Sequence, residues 1–296
     1  MIETNAADCR GLPAYAPMLA AYQRGHAAEL RAMIAALPLQ HGDRVLDMAC
    51  GEGVYTCWLA ERVGPNGRVH GVDISAAYLA LARERAAATA QRDIMSFQTG
   101  NIDSLPFDDD TFDLVWCAQS MYTLPDSESA LRELRRVTRP GGTVAIFEND
   151  TLHQLVLPWP AELELAVRAA QIRSINETTP SSAKFFIGRD LCRSFAAADL
   201  PNCVVTPYTI VRQAPLTDDE TYYLTWYLED LGSRARAYLA PDARALFDQL
   251  LDPTSSRCLF DRPDFYVIYI NLVARATKPS AKKRIFGGAQ SVPQGS

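Results

Sequence analysis

Three carboxylates and a pair of glycines stand where they could hold a small nucleotide-like ligand. Val45-Leu-Asp47-Met-Ala49-Cys50-Gly51-Glu-Gly53 is an apolar run that ends in an acid and enters a turn of small residues. Gly51 and Gly53 lack Cβ atoms, so a ligand can approach the backbone closely. Farther on, Gly71-Val-Asp73-Ile74-Ser ends a second apolar run in an acid. A carboxylate there can accept both hydroxyls of a ribose. It can equally serve as the N-cap of a following helix, and the sequence leaves both readings open. Asp103, in Thr99-Gly-Asn101-Ile102-Asp103, either accepts from an adenine amino group, with Ile102 packed on the ring, or is a solvated turn acid.

These residues need a scaffold that brings strand ends together. From Arg44 to Asn149, short β-like runs alternate with helical segments. Strands are expected at Arg44–Ala49, Arg68–Asp73, Ile94–Thr99, Phe112–Cys117 and Thr143–Glu148. Helices are expected at Val54–Val63, from Ala76 to about Gln91, and at Ser127–Val137, with Arg139-Pro-Gly-Gly142 as a turn. Such alternation means βαβ units, a parallel sheet and a doubly wound α/β fold, with ligands at the carboxyl ends of the strands. Cys203–Arg212 and Phe265–Ala274 are rich in β-branched and aromatic residues and are expected to add an antiparallel pair at one edge, making a mostly parallel seven-stranded sheet.

Three segments fall outside the alternation. Residues 1–40 include a helical stretch, Tyr15–Leu37, placed over the ligand. Insertions at about 151–187 and 213–264 read as helical lids on the main unit, which spans 41–276. The second opens on a capping box, Thr217-Asp-Asp-Glu220, and carries Tyr222, Tyr223, Trp226 and Tyr227 on one wide face. The tail, 277–296, has too few apolar residues to pack and is expected to be disordered.

Bulk properties narrow the partners. The chain has 296 residues and a net charge of −6, which disfavours a phosphate-backbone binder. No apolar stretch reaches the roughly 20 residues of a spanning helix, and the opening residues show no secretory pattern. The seven cysteines are scattered and never spaced C-x-x-C. Neither a disulfide framework nor a structural zinc site is expected, and a reducing, cytoplasmic setting is. A homo-oligomer is left open.

The ordered set from Asp43 to Asn149 resembles the class I S-adenosylmethionine-dependent methyltransferases, in the branch of ubiquinone/menaquinone-type and natural-product enzymes. That resemblance implies a Rossmann-like methyltransferase fold and S-adenosylmethionine as cofactor. It implies that Asp47, Ala49, Cys50, Gly51 and Gly53 hold the methionine part and that Asp73 binds the ribose. Ile74 and Ile102 would flank adenine, Asn101 and Asp103 would border it, and Gln119 would line the sulfonium. Ala49 departs from the family pattern, which usually has glycine there. A nicotinamide-binding turn would want Gly-x-Gly-x-x-Gly, and the last position here is Thr56. The expected reaction is in-line methyl transfer to a small organic acceptor, with no metal. Tyr122 and His153 are the candidate bases, each with a plainer reading as packing or loop residue. The alternative is a cofactor-binding protein of the same fold that acts as a cyclase-like catalyst or a non-catalytic partner.

Overall fold

In a computed structural model, which describes residues 11–179 and 185–280, the alternation becomes one mixed sheet. Strands β1 (Arg44–Met48), β2 (Arg68–Asp73), β3 (Met95–Thr99), β4 (Phe112–Ala118) and β5 (Thr138–Glu148) are parallel to their neighbours. They lie in the order β3-β2-β1-β4-β5. β8 (Tyr266–Thr277) follows antiparallel to β5, and β7 (Val204–Gln213) pairs antiparallel with β8 as the outer edge. The expected antiparallel edge pair is therefore present. An eighth strand, β6 (Leu155–Val156), pairs with β8 beyond the end of β5. At two residues it is too short to leave a period in the sequence.

Alternation along each strand supplies both faces of the sheet with apolar side chains. Val45, Val69, Leu114, Trp116 and Phe147 pack with α2 (Ala27–Ala35) and α3 (Val54–Val63). Leu46, Val72, Val115, Cys117 and Ile146 pack with α5 (Ser127–Val137) and α7 (Ile187–Ala197). Burial on both faces is why these strands read as nearly unbroken apolar runs. The remaining helices are α1 (Ala16–Gly25), α4 (Ala76–Ala87), α6 (Ala161–Thr178), α8 (Asp218–Ala235) and α9 (Pro241–Leu251).

Several boundaries move. The N-terminal helix is two helices, broken at His26, whose ring nitrogen Nδ1 lies 2.8 Å from the Tyr22 carbonyl oxygen. Helix α4 ends at Ala87, and Arg139–Gly142 is part of β5 rather than a separate turn. The capping box at Thr217 and Glu220 forms as expected. Tyr222 turns outward, however, so the aromatic face of α8 is narrower than the sequence implies. Thr277 belongs to β8, and Lys278 donates to Asp110 Oδ1 at 2.6 Å and to the Thr138 carbonyl at 2.8 Å. The ordered fold thus reaches into the expected tail, of which residues 281–296 lie outside the described residues.

The inserted helices pack on one another. Leu163 and Val167 of α6, Leu224, Leu228 and Leu231 of α8, and Phe247 of α9 share a third core with Phe265 and Tyr269. α1 leans on α8, where Arg24 forks onto Asp219. Arg212 on β7 ties Glu29 of α2 to Glu220 of α8.

Candidate active site

The carboxyl ends of β1 and β2 meet in a closely hydrogen-bonded turn. Asp47, 1% exposed at the end of β1, accepts from Thr56 Oγ1 at 2.5 Å in the first turn of α3. Burial raises its carboxyl to about 7 against the pull of that hydrogen bond, and the charge of Asp73 adds to the rise. Ala49 then takes φ 57° and Gly51 φ 53°, in the left-handed region that favours glycine. The Cys50 N–H donates to the Val72 carbonyl at 3.0 Å, and the Gly51 N–H donates to Asp73 Oδ2 at 2.9 Å.

The two glycines differ in kind. A Cβ on Gly51 would meet nothing within 4 Å, whereas one on Gly53 would lie 3.0 Å from the Ala82 Cβ on α4. Gly51 therefore leaves an open face, and Gly53 lets two helices close together. Both had been expected to admit a ligand.

Asp73 is not the cap of α4. Ser75 caps it by accepting from the Tyr78 N–H at 3.3 Å. Asp73 instead uses Oδ1 for the Ser75 N–H at 2.8 Å and Oδ2 for Gly51. An ionised carboxylate offers about four lone-pair sites, so acceptor capacity remains. Beside it Ile74 is 72% exposed, a bare apolar face next to a buried acid. Tyr15 reaches the same place from the N-terminal segment. Burial first, and the Asp73 charge next, raise its hydroxyl above the ordinary phenol range.

After β3, the Asp103 N–H donates to Asn101 Oδ1 at 3.2 Å, and both residues are exposed. Ile102 is 4% exposed and packs with Val72, Leu105 and Met121, while Ile74 presents a free apolar side.

The end of β4 is organised by a residue the sequence reading did not single out. Gln119 takes φ 49°, and its N–H donates to the Phe147 carbonyl at 2.7 Å. Glu148, buried at the end of β5, accepts from the Met121 N–H at 2.6 Å. Burial raises its carboxyl to about 8, while backbone N–H groups of Met121, Tyr122, Asn149 and Ser120 pull it back. Its signal was in the sequence: an acid closing the apolar run Thr143-Val-Ala-Ile-Phe-Glu148 must be held by donors.

Tyr122 and His153 stand in different surroundings. Tyr122 is 39% exposed, yet its hydroxyl is pushed up by the surrounding protein and then by the charges of Glu148, Tyr15 and Asp230. His153 is exposed beside a cavity of about 380 Å³ lined by Asp150, Gly188, Arg189, Ile270 and Leu272. There Arg189 forks onto Asp150 at 2.6 and 2.7 Å. Tyr22 is a core residue whose hydroxyl donates to Asn271 Oδ1 at 3.0 Å. Among the described residues no group of three or more His, Cys, Asp or Glu could hold a metal ion, and no helix is long and apolar enough to cross a membrane.

A family model described as a methyltransferase domain matches residues 39–198. Methyltransferase GfsG of Streptomyces halstedii is 39% identical over 38% of this chain and 40% of its own length. Demethylmenaquinone methyltransferase of Symbiobacterium thermophilum is 40% identical over 40% of this chain and 47% of its own length. The matched part therefore spans less than half of those two relatives. Demethylmenaquinone methyltransferase of Bacillus cytotoxicus is 30% identical over 64% of this chain and 82% of its own length. YcgJ of Bacillus subtilis shares the fold, with a TM-score of 0.51 at 17% identity, over 86% of this chain and 100% of that one. The [4+2]-cyclase SpnF shares it too, with a TM-score of 0.50 at 20% identity, over 86% and 83%.

The fold is a Rossmann-like methyltransferase fold, and the chain belongs to the methyltransferase domain family. S-adenosylmethionine is the cofactor that membership implies, and the residues present fit it. Gly51 leaves backbone uncovered, Asp73 keeps spare acceptor sites, and the buried Tyr55 hydroxyl beside Asp47 has no hydrogen-bond partner. Two neighbouring acids that raise one of their own pKa values suit a ligand carrying an ammonium and a sulfonium.

Proposed function

We propose that the protein transfers a methyl group from S-adenosylmethionine to a small organic acceptor of the quinone or natural-product class, in the cytoplasm. One observation carries this reading: the open face of Gly51 stands beside a buried Asp73 and a bare Ile74. Together they offer room, a ribose acceptor and an apolar wall. The name demethylmenaquinone methyltransferase, carried by two of the relatives, supports a quinone acceptor. A net charge of −6 favours a small molecule over nucleic acid.

When bound, the cofactor supplies a methyl group already activated by a positive sulfur. Asp73 accepts the ribose hydroxyls, Ile74 covers one side of adenine, and Asp103 with Asn101 borders its amino group. Asp47, Ala49, Cys50 and the Gly51 face hold the methionine end. Gln119, kept in its left-handed conformation by the β5 carbonyl, lines the methyl-bearing side. The remaining task is to align an acceptor nucleophile with the S–CH₃ bond and keep water out. Tyr15 and helix α8 do the second from above. A protein base is needed only when the acceptor is a weak acid. Of the two candidates Tyr122 is poorly suited, since its raised pKa opposes taking the anionic form, which leaves His153.

Calorimetric titration with S-adenosylmethionine, S-adenosylhomocysteine and NADH tests the cofactor half. Micromolar binding of both sulfur compounds and none of NADH is expected. The acceptor half is tested by following S-adenosylhomocysteine formation with a reduced naphthoquinone lacking its ring methyl. Cofactor binding without turnover of any quinol or phenolic acceptor would return the protein to the non-transferring alternative.

A further inference from the structure

The cysteines among the described residues fall into two populations. Cys50, Cys57, Cys117 and Cys258 are buried and serve as small apolar core residues. Cys192, on α7, is exposed, and Cys203, just before β7, is half-buried, so packing does not account for the first. The two stand together. Cys192 Sγ lies 3.9 Å from the Cys203 carbonyl oxygen, and its thiol is within hydrogen-bond reach of the Cys203 thiol.

The backbone that joins them is already folded back. Phe195 and Leu200 are buried, the Leu200 N–H donates to the Phe195 carbonyl at 2.9 Å, and Asp199 and Asn202 take φ 54° and 61°. The turn holds the two thiols in contact with each other.

We propose that Cys192 and Cys203 form an oxidisable dithiol site, which takes small disulfides as its substrate and closes into an intramolecular disulfide joining α7 to β7. The exposed Cys192 loses its proton to solvent and attacks one sulfur of the small disulfide, releasing one thiolate and leaving a mixed disulfide. Cys203 then loses its proton and attacks the Cys192 sulfur, expelling the second thiolate. Two protein thiols and one small disulfide become one protein disulfide and two small thiols, with the small disulfide as oxidant. The order follows from access, and from burial and the neighbouring thiol, which push the Cys203 thiol up to about 12.

The bond would fasten a helix that braces the candidate site. One turn earlier on α7, Arg189 holds Asp150, and Gly188 packs so closely on the Asn149–Asp150 backbone that a Cβ there would lie 2.9 Å from the Asp150 nitrogen. Oxidation would thus stiffen the support of the segment after β5.

The test uses the full chain, reduced, freed of reductant and incubated with oxidised glutathione under native conditions. Remaining thiols are alkylated after unfolding, and unreduced peptides are mapped by mass spectrometry. The expected result is one linked peptide joining Cys192 to Cys203, lost on adding dithiothreitol, with Cys50, Cys57, Cys117 and Cys258 alkylated. Cys203→Ser should instead accumulate a stable glutathione adduct on Cys192. Recovery of both cysteines alkylated, a lasting glutathione adduct on Cys192 in the unaltered chain, or a link from Cys192 to Cys9 would overturn the proposal.

Discussion

The two halves of the candidate site are built by different means. Around β1 and β2, backbone groups and short-range partners do most of the work: Gly51 N–H on Asp73, Ser75 N–H on Asp73, Cys50 N–H on Val72. Past β5, the surroundings come from α8 and the segment before α6, which share a separate core, and from α1, which packs in the core of β1 and β4. A site made of turns at strand ends leaves its mark in adjacent residues. A site made by packing distant helices does not.

That contrast can be broken most sharply at Asp73. Asp73→Ala removes a charge-assisted acceptor and frees the Gly51 N–H, and should weaken S-adenosylmethionine binding about tenfold to a hundredfold by calorimetry. An unchanged affinity would show that the cofactor half does not rest on this acid. The glycines offer a finer division. Gly53→Ala meets Ala82 at 3.0 Å with φ 77°, and should lower unfolding free energy by about 1–3 kcal/mol in denaturant titration. Gly51→Ala, with open space around it, should cost about 1 kcal/mol for its positive φ while impairing cofactor affinity more than Gly53→Ala does. Equal behaviour of the two variants would erase the distinction between open face and helix contact.

Glu148 tests the other half. Glu148→Ala strands the Met121 N–H and should lower stability by about 1–3 kcal/mol. In a turnover assay it should lower kcat more than it raises the cofactor KM, because the Gln119–Tyr122 segment loses its anchor. Glu148→Gln keeps an acceptor oxygen and should restore most of both. Failure of glutamine to rescue would mean that the charge, rather than the anchor, matters.

The last expected effect is in pH. Asp47 and Glu148 hold their protons in the folded state up to about 7 and about 8. The unfolded chain gives them up near the ordinary carboxylate range of about 4. Between those values the folded state binds more protons, so stability falls as pH rises. The Tm of the ligand-free protein should therefore decline from about pH 5 to about pH 8. Added S-adenosylmethionine should reduce the part of that decline due to Asp47, since a nearby cation favours the ionised form. A flat Tm in both conditions would remove the buried acids from the account.

Much of the first half was readable residue by residue. Asp47, Asp73 and the small-residue turn announced themselves as acids and glycines closing apolar runs. Two details were not: that Ile102 sinks into the core while Ile74 stays bare, and that Gly53 faces Ala82 instead of ligand space. Glu148 carried the same mark as Asp47 and Asp73, an acid ending a buried strand, and could have been found by asking which donors hold it. Tyr222 and Tyr223 are neighbours in sequence, yet one faces solvent and the other packs against Tyr22.

Period and turn chemistry are local properties, and so the amino-acid order alone settled most of the strands and helices, the parallel sheet and the acids at its carboxyl edge. Where a side chain points once its element is fixed depends on what arrives from elsewhere in the chain. Ala82 against Gly53, Glu148 under Met121, and Cys192 beside Cys203 are such contacts. The physical reason is range: hydrogen bonds within a turn join near neighbours, whereas burial and close packing join residues that only the finished fold places side by side.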